Sequence, residues 1–390
     1  MLRKLIQIFL LLVFWSGLVF IGVQTVRVPT TTTTENRMLT KKPPLPASWQ
    51  DVPDYIHTLE AWWSDSVAFR QLFVRQFNLL RLNVGIGPQK NVLLGKEGWL
   101  FDSSEQLDDF RNSKLLTNEE LSAWRKYLIF RHQDAKKRGA KFFFVIIPNK
   151  ESVYAEFMPD NVTRLTQMSR MDQIVEAVKN DGVAVLDLRN ILAEGKKNNL
   201  RIYHQHDIHW NLIGANYGQY AIIKALEPDF PELKSELHPL DDFEFVSGNA
   251  VNKAGIVYYA GLGRMMGLSE LTQEYEPVFK TAKPGCAEPA KLQVAPWGGL
   301  SEERKDIIFK ATACQTGHYR AVVFRDSFAE LMFPYLSETF RYIAYVWLPR
   351  PSPMSEWRYF MDEVHPDIII DENVERFLEK IPRAGVDYPL

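Results

Sequence analysis

Arg320-Ala-Val-Val-Phe324-Arg325-Asp326-Ser327-Phe328-Ala329-Glu330 carries an apolar run, 321–324, that gives way to three polar residues, Arg325, Asp326 and Ser327. The run 320–324 predicts a short buried strand, and the residues from about 327 predict a helix. A serine at such a turn stands at the carboxyl edge of a parallel sheet, beside the unpaired N–H groups of the first helical turn. Those groups can hold an oxyanion, and the helix dipole favours negative charge at that end. A plainer reading is that Asp326 or Ser327 is only the N-cap of the helix.

Outward from this turn the same alternation recurs. Downstream, strands are predicted over 341–347 and 367–371, with helices over 355–364 and 372–380. Upstream, helices are predicted over 116–138, 168–180 and 211–226, and strands over 141–148 and 183–188. The strand holding Phe142-Phe-Phe-Val-Ile-Ile147 is apolar throughout rather than alternating. Strands of that kind, separated by helices, imply an α/β fold whose parallel sheet is covered on both faces. Residues 53–82 carry apolar side chains at helical spacing, predicting one or two amphipathic helices, and Gly95-Lys96-Glu97-Gly98 predicts the turn of a hairpin.

The first residues are of another kind. Arg3-Lys4 precede an almost purely apolar run of about 19 residues from Leu5 to Val23. As a helix it nearly matches a hydrocarbon layer of roughly 30 Å. Arg3 and Lys4 keep the start in the cytoplasm by the positive-inside rule, so the rest is expected across the membrane, held by an uncleaved anchor; a cleaved signal peptide is the rival, though no A-x-A site follows in Phe20-Ile-Gly-Val-Gln-Thr25. The expected organisation is an anchor at 1–25, a Thr- and Pro-rich tether at 26–50, and one catalytic domain at 51–385 with an irregular insert at about 228–318. Forty-six basic against 48 acidic residues leave a net charge of -2, which offers nucleic acid no basic field. The two cysteines, Cys286 and Cys314, lie in the insert. In an oxidising compartment such a pair is expected to close.

Three of the eight histidines crowd into Tyr203-His204-Gln205-His206-Asp207-Ile208-His209-Trp210-Asn211, just before a predicted helix. Asp207 and His209, two apart in an extended turn, point to one side, so the carboxylate can orient the imidazole while its other nitrogen takes a proton. A metal site built on His204, His206, His209 and Asp207 is the competing chemistry, and a solvated loop is the bland one. The remaining histidines form no second cluster to complete a metal site.

Asp207-Ile-His-Trp-Asn211 with Gly214-Ala215 after it, Arg325-Asp-Ser-Phe328, Gly95-Lys-Glu-Gly-Trp-Leu-Phe101 and Pro148-Asn-Lys150 together resemble the SGNH-hydrolase-like family of alginate and other exopolysaccharide O-acetyltransferases. The resemblance covers about 35–380. It implies Ser327 as nucleophile, His209 as general base and Asp207 as the residue that orients it, with no cofactor or metal. It also implies a periplasmic location, a polysaccharide acceptor, and an acetyl donor delivered by a membrane-bound O-acyltransferase. Two features depart from ordinary SGNH hydrolases. Their Gly-Asp-Ser stands near the N-terminus and their Asp-x-x-His near the C-terminus. Here the serine block comes last, as in a circular permutation that the acetyltransferase branch shares, the spacing is Asp-x-His, and Arg325 replaces the glycine. Arg325 is then either an anion contact or a surface charge. The block Ala260-Gly261-Leu262 is the candidate for the oxyanion glycine, and Trp210, with Trp99 and Trp297, for an aromatic contact to sugar. An esterase of the same fold, or an idle polysaccharide-binding scaffold of an export complex, are the alternatives.

Overall fold

A computed structural model describes residues 2–27, 39–86, 91–197, 200–247, 261–265, 275–280, 285–292 and 308–390. The threonines of the tether, much of the insert and Trp297 lie outside the described residues. The chain divides into two compact units, Met1–Leu94 with Ala260–Thr272, and Gly95–Tyr259 with Gln273–Leu390.

The first unit holds helix α1, Leu2–Arg27. Its most apolar window has a mean hydropathy of 2.4 and no buried share, so by length and composition it can cross a membrane. The segment predicted to hold one or two helices forms two, α2 (Val52–Ser66) and α3 (Arg70–Asn83). They are separated at Phe69, whose positive φ of 62° a helix does not accommodate. This corner packs on α1: the Ala68 N–H donates to Thr25 Oγ1 at 2.9 Å, and the rings of Phe69 and Phe20 stack at 6.1 Å.

The second unit is built on a seven-stranded sheet. Its strands are β1 (Lys141–Ile147), β2 (Ala184–Asp187), β3 (Ala287–Pro289), β4 (Phe309–Cys314), β5 (His318–Arg325), β6 (Phe340–Trp347) and β7 (Ile368–Val374). The order across the sheet is β2-β1-β7-β5-β6-β4-β3. The first five are parallel, but β4 runs antiparallel to β6, and β3 antiparallel to β4. The sheet is therefore mixed rather than wholly parallel. The reason is local: only a tight turn, with Gly317 N–H donating to Cys314 O, joins β4 to β5, too short for a helical crossover. Within the stretch 228–318, Phe243–Ser247 and Tyr275–Phe279 also pair, and Cys286 is bridged to Cys314 at the outer edge of the sheet.

Both sheet faces are buried, which explains the uninterrupted apolar strands. Phe142, Phe144 and Ile146 share a core with Val322, Phe324, Trp124 and Trp357, while Phe143, Val145, Val323 and Tyr345 are buried on the opposite face. Each such side chain contributes roughly 1.5–3 kcal/mol on leaving water. Helix α4 (Asn118–Lys137) starts where Thr117 and Glu120 form a reciprocal cap, and α5 (Arg170–Val178) where Ser169 and Asp172 do the same. The last strand exceeds its predicted length. Glu372, Asn373 and Val374 continue the ladder beside Val145, Ile146 and Ile147, and only a short 3-10 turn, Glu375–Glu379, follows where a helix was expected.

Candidate active site

The turn after β5 keeps both sequence readings, on adjacent residues. Asp326 is the cap: its Oδ1 accepts the Phe328 N–H at 2.8 Å and its Oδ2 the Val374 N–H at 2.8 Å, which ties the turn to the end of β7. Ser327 is thereby released from capping, and its Oγ lies 2.7 Å from His209 Nε2. A tight 3-10 turn, Ser327–Met332, comes before the α-helix Phe333–Thr339, so the element predicted from 327 starts as a narrower coil. Because the Phe328 N–H is taken by Asp326, the Ser327 N–H is the remaining donor of this pair for an oxyanion.

The histidine loop is clamped at its base. Tyr203 and Trp210 form an antiparallel bridge, the His204 N–H donates to His209 O at 3.1 Å, and the Asn211 N–H donates to Ile202 O at 3.0 Å. Asn211 caps helix α6 (Leu212–Leu226) by accepting the Gly214 N–H at 3.0 Å. Gly214 is required there, since a Cβ would lie 2.2 Å from Ile202 O. Held this way, His209 Nδ1 sits 2.6 Å from Asp207 Oδ1, which also accepts the His209 N–H at 2.9 Å. Asp207 is 1% exposed and His209 8%, while Ser327 is only half-buried. The three groups thus form a chain from a buried carboxylate through an imidazole to an accessible hydroxyl, the arrangement that activates a serine for acyl transfer.

The histidines do not converge as metal ligands. His204 Nδ1 lies 2.8 Å from Glu276 Oε2, and His209 is occupied by Asp207 and Ser327. Trp210 and Arg325, weighed as substrate contacts, are both wholly buried. Trp210 donates its Nε1–H to Phe328 O at 2.8 Å, so it joins the histidine loop to the serine turn from below. Arg325 donates to Glu330 Oε1 at 3.0 Å and lies over the rings of Phe333 and Trp347. Its charge is neutralised inside the protein, and neither side chain has surface to offer a sugar. Trp99 is likewise buried, stacked on Tyr154 at 4.4 Å and Phe157 at 4.8 Å. Gly261 opens the short helix Gly261–Met265 of the first unit.

Sequence reasoning singled out Pro148-Asn-Lys150 without seeing its role. The Lys150 ammonium is wholly buried and donates to the carbonyls of Asp207 at 2.5 Å, Gln205 at 3.2 Å and His204 at 3.4 Å, and to that of Leu100. It gathers the backbone of the histidine loop around one charge. Two supporting carboxyls were also missed. Glu372, buried behind the turn, accepts the Asp326 N–H at 2.8 Å, and burial, reinforced by the negative Asp326, raises its carboxyl well above the usual range. Glu151 accepts the Asp102 N–H at 3.0 Å, and burial raises it to about 7. A fully buried carboxyl beside a strand end carries no signature in sequence.

The model of the SGNH hydrolase-like domain of acetyltransferase AlgX matches residues 92–292, 201 of the 390, a span that includes Asp207 and His209 and stops short of Ser327. A probable alginate O-acetylase, AlgJ of Pseudomonas syringae pv. tomato, is 24% identical over 173 residues, 44% of this chain and 42% of that protein. The chain therefore spans less than half the length of this curated relative. Among solved structures, Bacillus cereus PatB1 with a sulfonyl adduct superposes with a TM-score of 0.50 at 15% identity, covering 74% of this chain and 97% of PatB1. That likeness concerns the fold alone. The O-acetyltransferase domain of Pseudomonas putida AlgJ gives a TM-score of 0.45 at 15% identity, over 76% of this chain and 95% of that domain. With more than half of its residues matched by the family model, and an α/β fold to suit, the chain belongs to the SGNH hydrolase-like acetyltransferase family of AlgX.

Proposed function

We propose that this protein is an O-acetyltransferase that esterifies hydroxyls of an alginate-like exopolysaccharide, working in the periplasm from an inner-membrane anchor formed by α1. The single observation that carries the chemistry is the Asp207, His209, Ser327 chain with contacts of 2.6 and 2.7 Å. In the proposed cycle His209 Nε2 takes the Ser327 proton as Oγ attacks the carbonyl of an acetyl donor. The oxyanion is held by the Ser327 N–H, and collapse expels the donor's leaving group with the proton from His209. A sugar hydroxyl then gives its proton to His209, attacks the acyl-enzyme and leaves as the acetyl ester, restoring Ser327.

The family and the AlgJ relative support a polysaccharide acceptor, and a membrane-bound O-acyltransferase is the proposed supplier of acetyl groups. The late position of Ser327 relative to Asp207 and His209 supports a circularly permuted SGNH order. An acetylesterase differs from this reading only in admitting water to the acyl-enzyme. The test is mass spectrometry of the protein after incubation with a chromogenic acetyl ester, comparing the parent with Ser327→Ala. An acetyl adduct on Ser327, and turnover lost in the variant, is the expected result. Equal turnover in both removes Ser327 from the mechanism and leaves a scaffold role.

A further inference from the structure

Helix α3 turns an apolar stripe outward. Phe73, Phe77, Leu80 and Val84 recur at i, i+4, i+7 and i+11, the spacing of a single helix face, and are 47%, 58%, 61% and 60% exposed. Such a stripe normally faces a core, and one left on the surface marks an interaction site. Arg70 and Arg81 stand along one margin of the stripe, and α3 has three arginines and no carboxylate.

The place of α3 in its own unit says what covers the stripe. The corner that starts α3 is fastened to α1 through Ala68 N–H to Thr25 and through the Phe69 and Phe20 rings. Phe20 lies seven residues before the Arg27 end of α1, about 10 Å along a helix axis. If α1 spans the bilayer, this puts the start of α3 at the boundary between acyl chains and headgroups, where Arg side chains beside an apolar face meet lipid phosphates. We infer that α3 is a second membrane contact, lying in the outer interface of the bilayer that α1 crosses, with Phe73, Phe77, Leu80 and Val84 among the acyl chains. The occupant is anionic phospholipid, and the inference rests on the anchor reading proposed above.

The test uses the full chain in vesicles of phosphatidylethanolamine and phosphatidylglycerol. Both native cysteines are disulfide-bonded, so Phe77→Cys and, separately, Ser16→Cys each take one environment-sensitive fluorophore. Both positions are exposed, so the labels do not enter a core. The expected result is a blue shift at position 77 and quenching there by a lipid-borne quencher, comparable to that at position 16, with Leu80→Cys behaving like position 77. A label at 77 in water while that at 16 is in lipid overturns the inference and leaves the anchor standing. Labels in water at both positions overturn the anchor reading and the inference with it. A blue-shifted but unquenched label at 77 overturns the lipid occupant in favour of a protein surface.

Discussion

Replacing Lys150 with methionine keeps the length and apolar stem of the side chain and removes its charge. Two of its carbonyl partners, on Leu100 and Asp207, then lose a donor in a buried place, and that of Gln205 keeps only the Leu100 N–H. Hydrogen bonds to a charged group are worth about 1.5–3 kcal/mol each, and the carbonyls partly recover by shifting, so the net loss is about 3–5 kcal/mol. With a slope of about 3 kcal/mol per molar urea, the unfolding midpoint falls by about 1–1.7 M. The shift itself is the functional cost. The Asp207 carbonyl belongs to the residue that orients His209, and a misplacement of about 1 Å costs on the order of 10²-fold in turnover. Urea unfolding followed by tryptophan fluorescence gives the first quantity, and acetyl-ester turnover well below the midpoint gives the second. Lys114→Met, at an exposed lysine, is the control. A variant that is destabilised yet turns over like the parent would refute the claim that Lys150 sets the position of His209. An unshifted midpoint would refute the energetic estimate.

Glu151→Gln tests the raised carboxyl. A carboxyl raised to about 7 in the fold holds its proton more tightly there than in the unfolded chain, so the stability it contributes is present below the ordinary glutamate range and is lost as pH rises through about 7. The variant is expected to flatten the fall in urea midpoint between about pH 4.5 and 7, and an unchanged slope would count against it. Cys286 and Cys314 close a loop of 28 positions, worth on the order of 3–4 kcal/mol in the chain-entropy model. Reduction, or the double alanine variant, should lower the thermal midpoint by several degrees while leaving the Ser327 adduct obtainable, since the bridge lies at the outer edge of the sheet.

The sequence made the five parallel strands of the second unit legible because their apolar runs and the capped helices between them agree locally. It also placed Ser327 and the Asp207, His209 pair, since a strand-to-helix turn and a two-residue spacing constrain direction. The antiparallel edge was not legible: Phe309–Cys314, interrupted by Lys310 and Thr312, was counted in the irregular insert, and its orientation depends on the turn at Gly317. Nor was the burial of Trp210 and Arg325. An aromatic or a cation beside a catalytic turn looks the same whether it faces substrate or supports the loop from beneath, and only Phe328 O and Glu330 decide the matter. Lys150 escaped because its partners are backbone carbonyls, which leave no mark on residue identity.

The position of β5 carries a consequence for the order of assembly. Its neighbours in the sheet, β6 and β7, both follow it along the chain, and the Asp326 carboxylate that shapes the serine turn waits for the amide of Val374. As the polypeptide emerges N-terminus first, the histidine loop can form long before its hydroxyl partner is set, and competence arrives only when the final strand docks. A partially emerged chain thus carries the His209 loop without a positioned Ser327, and the proposed reactivity toward esters waits until the sheet closes around β5.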